Sequence, residues 1–199
     1  MKQTKNKAEA LDGLLLQIRQ CDLCQEILPL GPRPVVQAAS GAKILIAGQA
    51  PGARVHETGV PFDDPSGERL REWLGVDSEQ FYDSSLFAII PMAFCYPGRG
   101  RSGDLPPPPL CAQTWRQALL ERLPNLKLTL VIGQYAQAWH LPQPGRTLTE
   151  TVKDWPNLDP SIMPLPHPSP RNNFWLRRNP WFETDLLPQL KERVINALT

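Results

Sequence analysis

The sequence predicts an α/β protein, a three-layer α/β/α sandwich around a central, mainly parallel four-stranded sheet, and three observations carry that prediction. First, the apolar runs KILIAG, LFAIIPMAF and LKLTLVIG are continuous and not alternating, as strands covered on both faces are. Second, segments of helical period separate these runs, the arrangement of βαβ units. Third, the loops after Gly48, Phe94 and Leu165 are unusual in composition, and each leaves a strand at its carboxyl end, where open parallel sheets bind ligands.

The elements follow in chain order. Leu11, Leu14, Leu15 and Ile18 recur at helical spacing, and CDLC ends that helix. Lys43 to Gly48 reads as a buried strand. DPSGERLREWLG reads as a helix with Pro65 in its first turn, Leu70, Trp73 and Leu74 on its apolar stripe, and Gly75 as its stop. Leu86 to Phe94 is the second strand. Leu110 to Leu123 is a helix with Cys111, Trp115, Ala118 and Leu119 on one side. Leu126 to Gly133 is the third strand, Gln134 to His140 a short helix, and SIMPLPHP holds a short fourth strand. A final helix starts at Asn179 as N-cap, with Pro180 behind it, and runs to Ala197 with a bend at Pro188.

The 199 residues suit one domain, 1–199, with a full core. Hydrophobic content of 41% with 21% charged residues is ordinary globular composition, and no apolar run reaches the roughly 18 residues of a membrane span. Basic residues precede a short apolar patch at the N-terminus, but Asp12 lies at its edge and no small-residue cleavage site follows, so a cytoplasmic protein with no membrane partner is expected. No obligate protein partner is inferred. A formal charge of +1 excludes binding to nucleic acid by bulk charge, leaving local clusters such as Arg99/Arg101 and Arg171/Arg177/Arg178. The 23 prolines, concentrated in DLPPPPL, HLPQPG and PLPHPSPR, predict stiff, shaped loops.

Two motifs bear chemistry. Gly48-Gln49-Ala50-Pro51-Gly52 is followed by Gly59-Val60-Pro61-Phe62 and then Ser66-Gly67. His167-Pro168-Ser169-Pro170-Arg171-Asn172 closes the fourth strand. Together they resemble the uracil-DNA glycosylase superfamily, and within it the class with four cysteines and an iron–sulfur cluster. That class carries a G-E-A-P-G strand exit, then G-x-P-F, then a turn into a helix with A-G or S-G, and a closing H-P loop that presses on DNA. The likeness runs from Cys21 to the final helix.

The resemblance implies hydrolysis of a base–deoxyribose bond in DNA, with uracil as the default base and another damaged or modified base as the near rival. A base must be extruded, stacked and read at its edge for such chemistry. Phe62 then supplies the stacking face, and Gly48, Ala50, Pro51 and Gly52 bring backbone close to an anionic leaving base. The alternative is a tight turn with Phe62 in the core. His167 is the electrophile, a neutral imidazole N–H aimed at a base carbonyl. Asp64 either positions the water or caps the helix that begins at Pro65. His56 and Glu57 are further candidates, including for covalent capture of the sugar. Ser169, Pro170 and Arg171 could form a wedge against the strand, while Asn172 contacts substrate or, with Asn173, braces the loop against the strand ends. Trp175 and Trp181 are expected to anchor the final helix.

Two positions depart from the iron–sulfur class and a third from another branch. One branch has Asp where Ala50 stands, the iron–sulfur class has Glu where Gln49 stands, and the Asn that reads the uracil edge four residues ahead of Cys95 is Pro91 here. Pro91 has no side-chain donor or acceptor, so uracil recognition is put in question, with Met92 or the backbone near Phe94 shaping the pocket instead. A protein of the same fold that binds DNA without cleaving it is the alternative.

Cys21, Cys24, Cys95 and Cys111 are the whole cysteine content, spaced C-x2-C and then C-x15-C. Disulfides are not expected in a cytoplasmic chain, and the wide second pair is unlike a structural zinc site, so a metal site or buried free thiols remain. The resemblance implies a [4Fe–4S] cluster, tying the N-terminal helix to the loop 95–111 and presenting Arg99 and Arg101 to phosphates.

Overall fold

The computed structural model describes residues 2–199, with side chains from Glu9 onward. In chain order the elements begin with α1 (Lys2–Arg19), β1 (Ile44–Ala47), α2 (Ala53–Thr58), α3 (Pro65–Leu74), α4 (Ser78–Tyr82) and β2 (Phe87–Ile89). They continue with α5 (Pro109–Leu120), β3 (Leu128–Ile132), α6 (Gly133–His140), α7 (Leu148–Lys153), β4 (Ile162–Leu165), α8 (Asn173–Arg178) and α9 (Leu187–Leu198). The sheet order is β2-β1-β3-β4 and every pairing is parallel. Among the described residues no helix is long and apolar enough to cross a membrane.

Strand alternation divides the core between two faces. Ile44 and Ile46 of β1 point to one side, where Leu70, Trp73 and Leu74 of α3 and Leu190 and Val194 of α9 cover them. Leu45 points to the other, against Leu11, Leu14, Leu15 and Ile18 of α1 and Leu119 of α5. Ala47 joins Ala136 of α6 on that second side. Burial on both faces is why the strands carry no polar alternation.

The helix boundaries have local causes. Asp64 caps α3 by accepting from the Gly67 N–H, Pro65 occupies the first turn, and Gly75 ends the helix at φ 70°. The predicted second strand, Leu86 to Phe94, is cut to Phe87–Ile89. Ile90 and Met92 still donate in step to the Ile46 and Gly48 carbonyls, but the next bond comes one residue later, from Ala93 to Gln49, which breaks the alternation of a strand, and Pro91 has no N–H to offer on the outer edge where Ile89 bonds Gln37. The expected final helix also differs: α8 is separate, and a π-turn over Phe182–Leu186 precedes α9. There the Leu187 N–H reaches back five residues to the Phe182 carbonyl, just before Pro188, which has no N–H to donate. Trp175 and Trp181 pack on Phe182 with ring centroids 5.6 and 6.4 Å away, so they anchor the chain end as expected.

Candidate functional site

A cavity of about 330 Å³ opens at the carboxyl ends of the strands. Gly48, Gln49, Ala50, Pro51 and Gly52 line it from the β1 exit, and Pro91 from the β2 exit. Phe62 and Asp64 line it from the turn into α3, and His167, Ser169 and Arg171 from the β4 exit. The three loops singled out by composition therefore meet at one place.

Phe62 stands at φ 55°, the chain's one non-glycine residue in left-handed conformation among the described residues. A β-carbon on Gly67 would lie 1.8 Å from the Phe62 carbonyl oxygen, so only glycine permits this turn. The turn swings the Phe62 ring toward the β1 exit: a methyl group at Gly48 would lie 3.7 Å from the ring tip. Phe81 supports the ring edge-on at 6.1 Å between centroids. A residue held against its backbone preference, with its ring on the cavity wall, is an aromatic surface built in place.

His167 is fixed by its own loop. The Ser169 N–H donates to Nδ1 at 3.2 Å, which places the proton of the neutral ring on Nε2. Burial holds the imidazole below its ordinary pKa, against the opposing charges of Asp64 and Asp104, so it is neutral at pH 7. Asn172 Nδ2 donates to the His167 carbonyl at 2.7 Å, and the Arg69 guanidinium donates to the Pro168 and Ser169 carbonyls. Asn172 does not line the cavity, and of the two roles considered for it the bracing one is what the structure displays.

Two further expectations are corrected. His56 does not line the cavity: α2 turns it inward, where it is buried with its ring 6.3 Å from Tyr96 and its Nδ1 without a partner. Glu57, next on the same short helix, is exposed and likewise absent from the cavity wall. Gln49 does reach the cavity, but its amide nitrogen is engaged with the Leu105 carbonyl at 3.0 Å, which makes it a loop anchor. Asp64 spends one carboxylate oxygen on the Gly67 N–H, while the other lies 4.0 Å from where a methyl on Gly52 would stand. Capping and facing the cavity are thus compatible.

Sequence reasoning missed the hairpin that closes one wall. Gly100 donates to the Gly103 carbonyl, Leu105 to the Gly98 carbonyl, and Arg99 and Asp104 pair across the strands. Gly98 and Gly103 take positive φ, so the spacing of glycines in PGRGRSGD was the signal that could have found it. Its residues Tyr96, Arg99 and Asp104 join the cavity wall, as does Arg54 of α2. Arg101 is exposed and outside the cavity. Arg178 stacks on Phe174 at 4.0 Å, and Arg177 lies in a groove beside Arg69.

Beneath the floor lies a fully buried guanidinium. Arg116 of α5 donates to the carbonyls of Ile90 and Pro91 and to His140 Nε2. Burial pulls Arg116 down to about 10 and His140 down to about 3, the latter with help from the Arg116 charge. The pair binds the pocket floor to the helix that carries Cys111.

All four cysteines line one small apolar pocket with Trp115, Pro108 and Phe94. Burial pushes Cys95 up to about 11 and Cys111 up to about 12, and neighbouring cysteines raise each further. Among the described residues no group of three or more His, Cys, Asp or Glu side chains is arranged to hold a metal ion. Convergent thiols in an apolar pocket nevertheless form a donor set that suits thiolate-bound iron, whose positive charge would offset the desolvation of the sulfurs.

A family model for the Uracil DNA glycosylase superfamily matches residues 35–191, which takes in the strand exits, the hairpin and the His167 loop but starts beyond Cys21 and Cys24. The members of that superfamily are in general DNA glycosylases, acting on DNA. With the match spanning the whole of the sheet and every loop of the cavity, the chain belongs to the Uracil DNA glycosylase superfamily.

Proposed function

We propose that the protein hydrolyses the N-glycosidic bond of uracil or another damaged or modified base in DNA. One observation carries this reading: a neutral imidazole with its proton on Nε2 shares a cavity with a strained aromatic face and a carboxylate. The bond between C1′ and the base nitrogen breaks with its electron pair leaving on the base. His167 Nε2–H donates to a base carbonyl oxygen as negative charge builds there. Phe62 stacks on the extruded base, and the backbone of the loop 48–52 lies alongside it. Asp64 positions the water, whose oxygen bonds to C1′ and whose proton passes by way of solvent to the departed base. Arg54, Arg99 and Arg171, at the exposed edge of the cavity, contact the phosphates that flank the extruded nucleotide.

Cys21, Cys24, Cys95 and Cys111 would hold a [4Fe–4S] cluster as a structural element. Bound there, it would supply a rigid crosslink between the end of α1, the hairpin's base and α5, and no catalytic chemistry.

The experiment incubates protein purified without air with single- and double-stranded oligonucleotides bearing one uracil or one hypoxanthine, then alkali, beside His167→Ala. Strand cleavage at the base, lost in the variant, is expected. A second reading, DNA binding without cleavage, is favoured by Pro91 on the floor and by the engagement of Gln49 with Leu105. Tight, salt-sensitive binding with no abasic product from any oligonucleotide would establish that reading instead.

A further inference from the structure

Asp104 lies on the returning strand of the hairpin, paired with Arg99 and outside both motifs, and lines the cavity. A methyl group on Gly52 would stand 3.9 Å from the nearer carboxylate oxygen of Asp104 and 4.0 Å from that of Asp64. The two carboxylates therefore converge on one point of the β1 exit loop. Among the described residues neither forms an ion pair with a Lys or Arg, although Arg54, Arg99 and Arg171 line the same cavity. Both charges act on His167 and oppose the effect of its burial, which places them within electrostatic reach of the imidazole.

Exposure grades along the cavity. Pro91 is buried, Phe62, Asp64 and His167 are half-buried, and Asp104 and the three arginines are exposed. A nucleotide entering base first would put its base against Phe62 and His167 and its phosphates beside the arginines. Its sugar would then sit level with Gly52, between the two aspartates. A deoxyribose whose base departs with the bonding electrons becomes a cation at C1′, and two nearby carboxylates whose charge no Lys or Arg neutralises are what such a cation requires.

Resting on the glycosidase reading above, we infer that Asp104 is a second catalytic carboxylate, supplied by the inter-cysteine hairpin, that stabilises the sugar cation opposite Asp64. Asp64 retains the water, and Asp104 gains or loses no proton. The Gln49 to Leu105 hydrogen bond and the Gly98 to Leu105 pairing hold the hairpin at this distance.

The test separates charge from turnover. Two oligonucleotides are compared by fluorescence anisotropy, one with a cationic pyrrolidine abasic analogue and one with its neutral tetrahydrofuran counterpart. The wild type should bind the cation at least about tenfold more tightly, and Asp104→Asn should reduce that ratio to below about threefold while leaving the neutral analogue's Kd within about twofold. Asp104→Ser, which removes the charge without leaving an amide, should behave alike, and thermal melts verify that both variants fold. A ratio unchanged in both variants, or no preference in the wild type, overturns the inference. A protein that releases no base yet prefers the cation in an Asp104-dependent way would sink hydrolysis while the carboxylate pair stands. Base release with an Asp104-independent preference would do the reverse.

Discussion

Acidification should loosen the floor of the cavity through one imidazole. His140 accepts from the buried Arg116 guanidinium, and protonation would place two cations side by side away from water. Its pKa is therefore held at about 3, against an ordinary value of 6.5. A histidine depressed in the folded state favours folding fully only above its unfolded pKa, and that contribution drains away as pH falls below it. Between pH 6.5 and 4.5 the folded protein keeps His140 neutral while the unfolded chain takes up the proton, a loss of roughly 2–3 kcal/mol. The ceiling, approached only below the folded pKa of about 3, is roughly 5 kcal/mol. Urea unfolding of the wild type and of His140→Gln at both pH values isolates the effect, because Gln keeps an acceptor for Arg116 but does not titrate. His167 shifts in the same direction, as its burial requires, and is common to both proteins. The Gln variant should lose less stability than the wild type by the stated 2–3 kcal/mol. Equal losses in the two proteins would refute the reasoning and mean that water reaches the Arg116 guanidinium.

Gly67→Ala forces a β-carbon against the Phe62 carbonyl and should cost about 1–3 kcal/mol, read as a lower Tm, together with loss of base release. His167→Ala should lower the single-turnover rate by roughly 10²–10³ with little change in DNA affinity, since its hydrogen bond strengthens as the base departs. The acid limb of the wild-type pH–rate profile should lie below the pH at which an ordinary histidine titrates, because burial lowers the His167 pKa. Pro91→Asn puts an amide on the cavity floor and should improve discrimination for uracil over hypoxanthine by roughly tenfold, corresponding to one added edge contact. Cys111→Ala should remove the visible absorbance of protein purified without air and weaken the dependence of DNA affinity on Arg99.

The sheet and α3 were legible because their signals are local. Continuous apolar runs, Pro65 in a first turn and Gly75 as a stop need no tertiary context. The cavity was legible as the meeting of three strand exits, since parallel topology places them on one edge. The extent of β2 was not, because whether Pro91 ends a strand depends on which carbonyls Met92 and Ala93 find across the sheet. His56 was misjudged for a related reason: residues one apart on a short helix point to different sides, and only packing on Tyr96 decides which faces in. Asp104 escaped notice because its importance comes from folding the hairpin back over Gly52, about fifty positions earlier in the chain. Arg116 resembled a surface residue of an amphipathic helix, and its burial follows from two carbonyls left free where β2 stops.

Those carbonyls have a bearing on selectivity. Pro91 has no N–H and no polar side-chain atom, and its carbonyl already accepts from Arg116, so at this point of the floor a base edge meets no donor and only the second lone pair of one carbonyl. A floor of that kind ranks bases only weakly by the pattern on their edges. What it leaves to rank them is how readily each departs: the more stable the anion a base forms, the lower the barrier to breaking its glycosidic bond in a site that serves all of them alike. Rates across a series of uracils substituted with increasingly electron-withdrawing groups should then rise with the acidity of the free base, making bond lability the filter that an edge-reading amide provides elsewhere.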